Sequence, residues 1–176
     1  MIGRGDRKGG FTMVEITIVV SIIGIVAAVG LPSLIKARSE SRISRMINDL
    51  RTVYDAFNMY AMEHGNYPED GDGVGGLAYL NNTPQPVAEF LTGTRWQEPT
   101  SLGGTWIYYH WQAGSVHGIL VDDFNFDPGR APMASAADFQ KIDDKIDDGN
   151  LFTGRFQYRG QQMLYSVDDE HWVFTS

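Results

Sequence analysis

The chain has 176 residues, no cysteine and a formal net charge of −8, enough for one compact domain plus a long helix. Without cysteine there is no disulfide framework, thiol nucleophile or thiolate metal site. Residues 65–176 carry six basic and sixteen acidic groups, which argues against nucleic acid as a ligand there, because phosphate binding needs clustered Lys and Arg.

At the N-terminus a short basic leader with Arg4, Arg7 and Lys8 ends in Gly9-Gly10. From Ile16 to Ile35 no side chain is charged, about what a helix needs to cross ~30 Å of hydrocarbon. One acid, Glu15, stands at the head of that run. A secretory signal peptide is cut after its apolar core. Here the small residues come before the core, so a cut there keeps the apolar helix in the mature chain. An unpaired carboxylate within a bilayer costs roughly 2.5–3.5 kcal/mol or more. Glu15 therefore either has a partner or sits solvated at the headgroup boundary.

The run Gly10-Phe11-Thr12-Met13-Val14-Glu15 resembles the processing and methylation site of type IV pilins and type II secretion pseudopilins. In that family a prepilin peptidase cuts after the Gly and methylates the new N-terminal Phe. The resemblance thus implies that Gly10 and Phe11 are the processing site. It also implies that Glu15 is an assembly contact, pairing with the N-terminal ammonium of Phe11 on a neighbouring subunit of a filament. Gly24 and Pro32 fall where the family's helix carries a Gly and a Pro. The resemblance covers residues 10–64. It implies a single-pass protein of the inner membrane, with its leader in the cytoplasm and its head in the periplasm or outside. Implied partners are other pilin-like subunits, an inner-membrane platform protein and an assembly ATPase. Charge alone leaves the orientation open, since the leader and the residues after the span are similarly basic.

Lys36, Arg38, Arg42, Arg45 and Arg51 follow the span as a basic collar, suited to membrane lipid headgroups or to acidic heads of adjacent subunits. Ile43, Met46, Ile47, Leu50, Val53, Tyr54, Phe57, Tyr60 and Ala61 step by three and four, the apolar stripe of a continuing helix. Gly65 and Pro68 stop it. A helix over residues 12–64 would be about 80 Å long. Pro32, close behind Gly30, predicts a kink or a melted turn.

Beyond Gly65 the texture changes to a Gly- and Asp-rich loop over 69–76 and a short helix around 87–91. Strands are predicted over Thr105–Trp111, 118–122, 155–159, 163–167 and 171–174. Residues 112–117 and Gly160-Gln161 read as hairpin turns. Ser135 can cap a helix with Phe139, Ile142 and Ile146 on one face, ending at Gly149. The expected fold is α+β, type IV pilin-like, with a long N-terminal helix packed on a small antiparallel sheet. Its divisions are a leader (1–10), a transmembrane or filament-core helix (11–35), an amphipathic continuation (36–64) and a soluble head (65–176).

Two acidic groups are calcium candidates. Asp123, Asn125 and Asp127 alternate like the start of an EF-hand. However, Gly129 comes one residue late and Ala134 replaces the closing Glu. A strand extension that buries Phe124 and Phe126 explains the same pattern. Asp143, Asp144, Asp147 and Asp148 crowd the end of the predicted helix against its dipole, and Asp143 and Asp147 head this second group. Lys145, the Gly149-Asn150 loop or a Ca²⁺ ion would offset them.

In the strand from Trp106 to Trp111, alternation puts Trp106, Tyr108 and His110 on one face, and Ile107, Tyr109 and Trp111 on the other. Packing explains both faces better than a ligand platform does. His110 and His117 flank the hairpin turn but are too few to argue for zinc. No Gly-x-Ser-x-Gly elbow, His-Glu-x-x-His helix or phosphate-binding loop occurs.

The expected function is therefore structural and not enzymatic: a pseudopilin subunit of a filament driving export by a type II secretion system. A type IV pilus subunit for adhesion, motility or DNA uptake is the alternative. A secreted enzyme or binding protein, cut at Ala28-Val29-Gly30, would have to discard the helix.

Overall fold

The computed structural model describes residues 10–68, 87–111, 116–122, 134–159 and 162–168. Its elements are α1 (Met13–His64), β1 (Thr105–Trp111), β2 (Val116–Asp122), α2 (Ala136–Ile146), β3 (Phe156–Arg159) and β4 (Gln162–Ser166). The chain divides into two compact units, Met1–Glu40 and Ser41–Ser176.

In the first unit, α1 is long and apolar enough to cross a membrane, and every side chain from Phe11 to Arg38 is exposed. Its few hydroxyls bond within the helix: Thr17 to the Met13 carbonyl at 2.8 Å and Ser21 to the Thr17 carbonyl at 2.7 Å. Such back-bonding lets polar side chains sit in hydrocarbon without an unsatisfied donor. The predicted melted turn at Pro32 is not formed. The helix runs unbroken through it, and the Ser33 hydroxyl donates to the Gly30 carbonyl at 2.8 Å.

In the second unit the stripe predicted on α1 is buried: Ile43, Met46, Ile47, Leu50, Val53, Phe57 and Tyr60, with Ala56 added. It packs against a four-stranded sheet in the order β1-β2-β4-β3, antiparallel throughout. Phe57 stacks on Tyr108 of β1 with ring centroids 4.6 Å apart and meets Trp96 edge-on at 5.5 Å. Tyr54 meets Tyr165 of β4 edge-on at 5.6 Å. On the far strand, Phe139 of α2 stacks on Tyr158 at 4.4 Å. This is the expected α+β architecture.

Local departures have local causes. Residues 87–91 make consecutive turns and not an α-helix. Val87 accepts from the Phe90 and Leu91 amides at 3.0 and 3.3 Å, and Gly93, at φ 86, turns the chain away. Ser135 has extended backbone before α2 but makes no side-chain cap bond. Its hydroxyl donates to the carboxylate of Asp138, a first-turn acid, at 3.1 Å. The predicted strand over 171–174 and the loop over 69–76 lie outside the described residues, as do 112–115 and Gly160-Gln161 of the turns.

Candidate assembly site and acidic loop

Thr12 directly precedes α1, and the spacing Thr-x-x-Glu builds a reciprocal cap. The Thr12 hydroxyl oxygen accepts the Glu15 amide at 3.2 Å. In return, Glu15 Oε2 accepts the Thr12 amide and the Thr12 hydroxyl, each at 2.9 Å. Glu15 therefore has a partner within its own chain. The sequence reading sought that partner only on a neighbour and missed Thr12, although the spacing is a recognisable capping signal. An ionised carboxylate offers about four acceptor positions, so the cap leaves room for an ammonium as well. Phe11 is 83% exposed, and a side chain at Gly10 would meet nothing within 4 Å. Among the described residues, no packing demands glycine at position 10.

The collar does not act as one unit. Arg42 is clasped into its own head: its Nε donates to the Ser101 carbonyl at 2.8 Å, and the Ser101 hydroxyl donates back to the Arg42 carbonyl at 2.7 Å. Lys36, Arg38, Arg45 and Arg51 are exposed. In the aromatic strand, Trp106 and Tyr108 are core residues, each 2% exposed, as the packing reading requires. The Tyr108 hydroxyl donates to the Pro68 carbonyl at 2.8 Å and meets His117 Nδ1 at 2.7 Å. The side chains of Tyr109, His110 and Trp111 lie outside the described set.

The acidic end of α2 is a built loop. The helix closes at Asp147, whose amide bonds to the Asp143 carbonyl at 2.9 Å. Asp148 accepts the Asn150 amide at 2.8 Å and the Thr153 hydroxyl at 2.6 Å. Asp147 Oδ2 accepts the Phe156 amide, at the start of β3, at 2.7 Å. Gln140 Nε2 bridges Asp144 Oδ1 at 3.0 Å and the Gly149 carbonyl at 2.8 Å. Gly154 has φ +74, and a Cβ there would lie 2.1 Å from Asp147 Oδ2. Both conformation and space thus demand glycine. Gly154→Ala should cost roughly 2–4 kcal/mol, from left-handed backbone strain and displacement of the Asp147–Phe156 bond. Thermal melts of the detergent-solubilised chain measure this, and an unchanged midpoint would contradict the geometry.

Asp143 is fully buried, and neither carboxylate oxygen has a hydrogen-bond partner. The Gly149 amide lies near enough only to soften this. One oxygen each from Asp143, Asp147 and Asp148 falls within 4.8 Å of the others. Burial first, and then the charges of Asp147, Asp148 and Asp144, push the Asp143 carboxyl up to about 6. A raised carboxyl is neutral and harmless near pH 4 and costs most above pH 6. With divalent ions chelated, Asp143→Asn should therefore gain on the native chain as pH rises from about 4 to 7, by up to ~3 kcal/mol. Paired melts at both pH values test this; a variant that loses ground at neutral pH refutes it. The other calcium candidates, Asp123, Asn125 and Asp127, lie outside the described residues.

Residues 5–31 match the family described as the prokaryotic N-terminal methylation motif. The chain is 27% identical over 85 residues to type II secretion system core protein G of Escherichia coli, covering 48% of this chain and 59% of that protein. Core protein G of Pseudomonas aeruginosa is 30% identical over 81 residues, 46% of this chain and 57% of that protein. The type IV major pilin protein PilA of Myxococcus xanthus is 36% identical over 69 residues, covering 39% and 31%. The chain spans about half the length of the secretion relatives it matches. No solved structure matches it.

Proposed function

We propose that this chain, a type IV pilin-like protein with the prepilin motif and long helix of the pseudopilins, is a structural filament subunit of a type II secretion apparatus. One observation carries the reading. The motif Gly10-Phe11-Thr12-Met13-Val14-Glu15 opens an apolar run with no buried side chain, on a helix that goes on to bury its stripe in the head. An exposed run of this kind is stable only in lipid or among other helices. Leaving lipid for a filament must therefore replace one apolar environment by another, with each subunit's helix covering its neighbours'.

In this reading the subunit waits in the inner membrane with its head outside. A prepilin peptidase cuts between Gly10 and Phe11 and methylates Phe11. A platform protein and an assembly ATPase then move subunits into the filament. The similarity to PilA supports a pilus role less strongly, since it covers a smaller share of both proteins.

Co-expression with a prepilin peptidase, followed by mass analysis of the N-terminus, provides the test. The expected mature chain begins at methylated Phe11, and Gly10→Val leaves the leader attached. A chain beginning at Leu31 would establish the secreted alternative. Restored export in a strain lacking its own core protein G separates secretion from a pilus role.

A further inference from the structure

We propose that Met59 and Met62 form an oxidation site on the outer face of α1, where hydroperoxides convert both thioethers to sulfoxides without unfolding the structure beneath. Among the described residues of the second unit, the exposed large apolar side chains are Met62 at 85%, Phe152 at 64% and Met59 at 60%. The two methionines stand on α1, and a spacing of three residues makes them neighbours on one helix face. The chain has no cysteine, so thioethers carry all of its sulfur chemistry.

That sulfur is divided into two tiers. Met46 and Met163 are 0% exposed and packed in the core. A sulfoxide on either would set a polar oxygen among apolar groups, which is costly and disrupts packing. Met59 and Met62 bury little, so an oxygen added to them displaces little. The turn that carries them is held from its other side. Tyr60, between the two, is fully buried, stacks on His64 at 4.1 Å and meets Phe90 edge-on at 5.5 Å. Those contacts are made by rings, and the methionine sulfurs take no part in them.

The chemistry needs only access. The thioether sulfur attacks one oxygen of the peroxide, an S–O bond forms and the O–O bond breaks. Sulfur gives up two electrons and the peroxide is reduced. With hydrogen peroxide, the proton on the transferred oxygen passes to the departing hydroxide, which leaves as water. Methionine sulfoxide reductases reverse the change, and an exposed helix face is open to them where a packed core is not.

This site stands independently of the filament reading, and its test does not involve secretion. The whole chain in detergent micelles is treated with hydrogen peroxide. Sulfoxide at each methionine is followed by proteolysis and mass spectrometry, with thermal melts of the same samples. Met62 and Met59 should oxidise at least about tenfold faster than Met46 and Met163. Tm should stay within about 2 °C once both are oxidised, and the reductases should restore the native mass at these positions. The double variant Met59→Leu, Met62→Leu should lose the early oxygen uptake and keep the native Tm. Oxidation of Met46 or Met163 as fast as that of Met62 overturns the proposal. So does a head that unfolds when Met59 and Met62 alone are oxidised, or a double variant whose early uptake matches that of the native chain.

Discussion

Glu15→Ala is expected to abolish filament assembly while the chain still inserts in the membrane. Removing a carboxylate from the edge of an apolar span makes insertion easier, by roughly 2.5–3.5 kcal/mol where the group lies within the bilayer. A failure to assemble would therefore not be a failure to insert. The substitution does cost the helix the carboxylate half of its capping box, the two bonds accepted from Thr12, while the Thr12 hydroxyl still accepts the amide at position 15. Charge and cap can be separated, because glutamine also serves in the Thr-x-x-Glu/Gln arrangement. Glu15→Gln keeps the start of the helix and loses the charge. If the carboxylate pairs with the ammonium of Phe11 on a neighbour, Glu15→Gln fails to assemble just as alanine does. If the cap is the whole role, Glu15→Gln assembles normally while alanine does not. Electron microscopy of filaments, beside a carbonate-extraction assay for insertion, reads both quantities. Normal filaments from Glu15→Ala would remove Glu15 from the assembly mechanism.

The parts of the fold set by periodicity were legible in the sequence. The α1 stripe appears wherever steps of three and four repeat, and Tyr54 and Ala61 at its margins are half-buried. Strand β1 matches its predicted bounds, and β3 and β4 begin within one residue of theirs. Long-range placement was less legible. That Arg42 would be clasped by Ser101 depends on a contact across 59 residues of chain, and a run of cations gives no hint of it. Local side-chain geometry was also hidden: Ser135 reads as a cap, yet its side chain makes no cap bond and its hydroxyl donates to the Asp138 carboxylate. The acidic end of α2 was visible as a run of Asp. Its character depends on burial, and burial distinguishes Asp143 from the exposed Asp144 beside it.

Phe57→Ala should unfold the head more readily than any surface change on the same helix. Phe57 is 0% exposed, with its ring stacked on Tyr108 and edge-on to Trp96. Through these contacts α1 grips β1 and the 94–100 segment. Truncation removes the transfer energy of a whole ring, leaves a cavity, and breaks two aromatic contacts, together roughly 3–5 kcal/mol. A domain of this size is stable by about 5–15 kcal/mol, so the loss is a large share, and Tm should fall by roughly 10–20 °C. Met62, five residues further along the same helix, is the control. It is 85% exposed, and Met62→Ala should stay within about 0.5 kcal/mol. Phe57→Leu should fall between the two, since it restores apolar volume without the ring geometry. Melts of the three variants in one detergent decide the matter. If Phe57→Ala melts like Met62→Ala, α1 is not the element against which the head's core is built, and the head must fold without it. If the expected order is found, the helix that crosses the membrane in the proposed function also carries the head's stability.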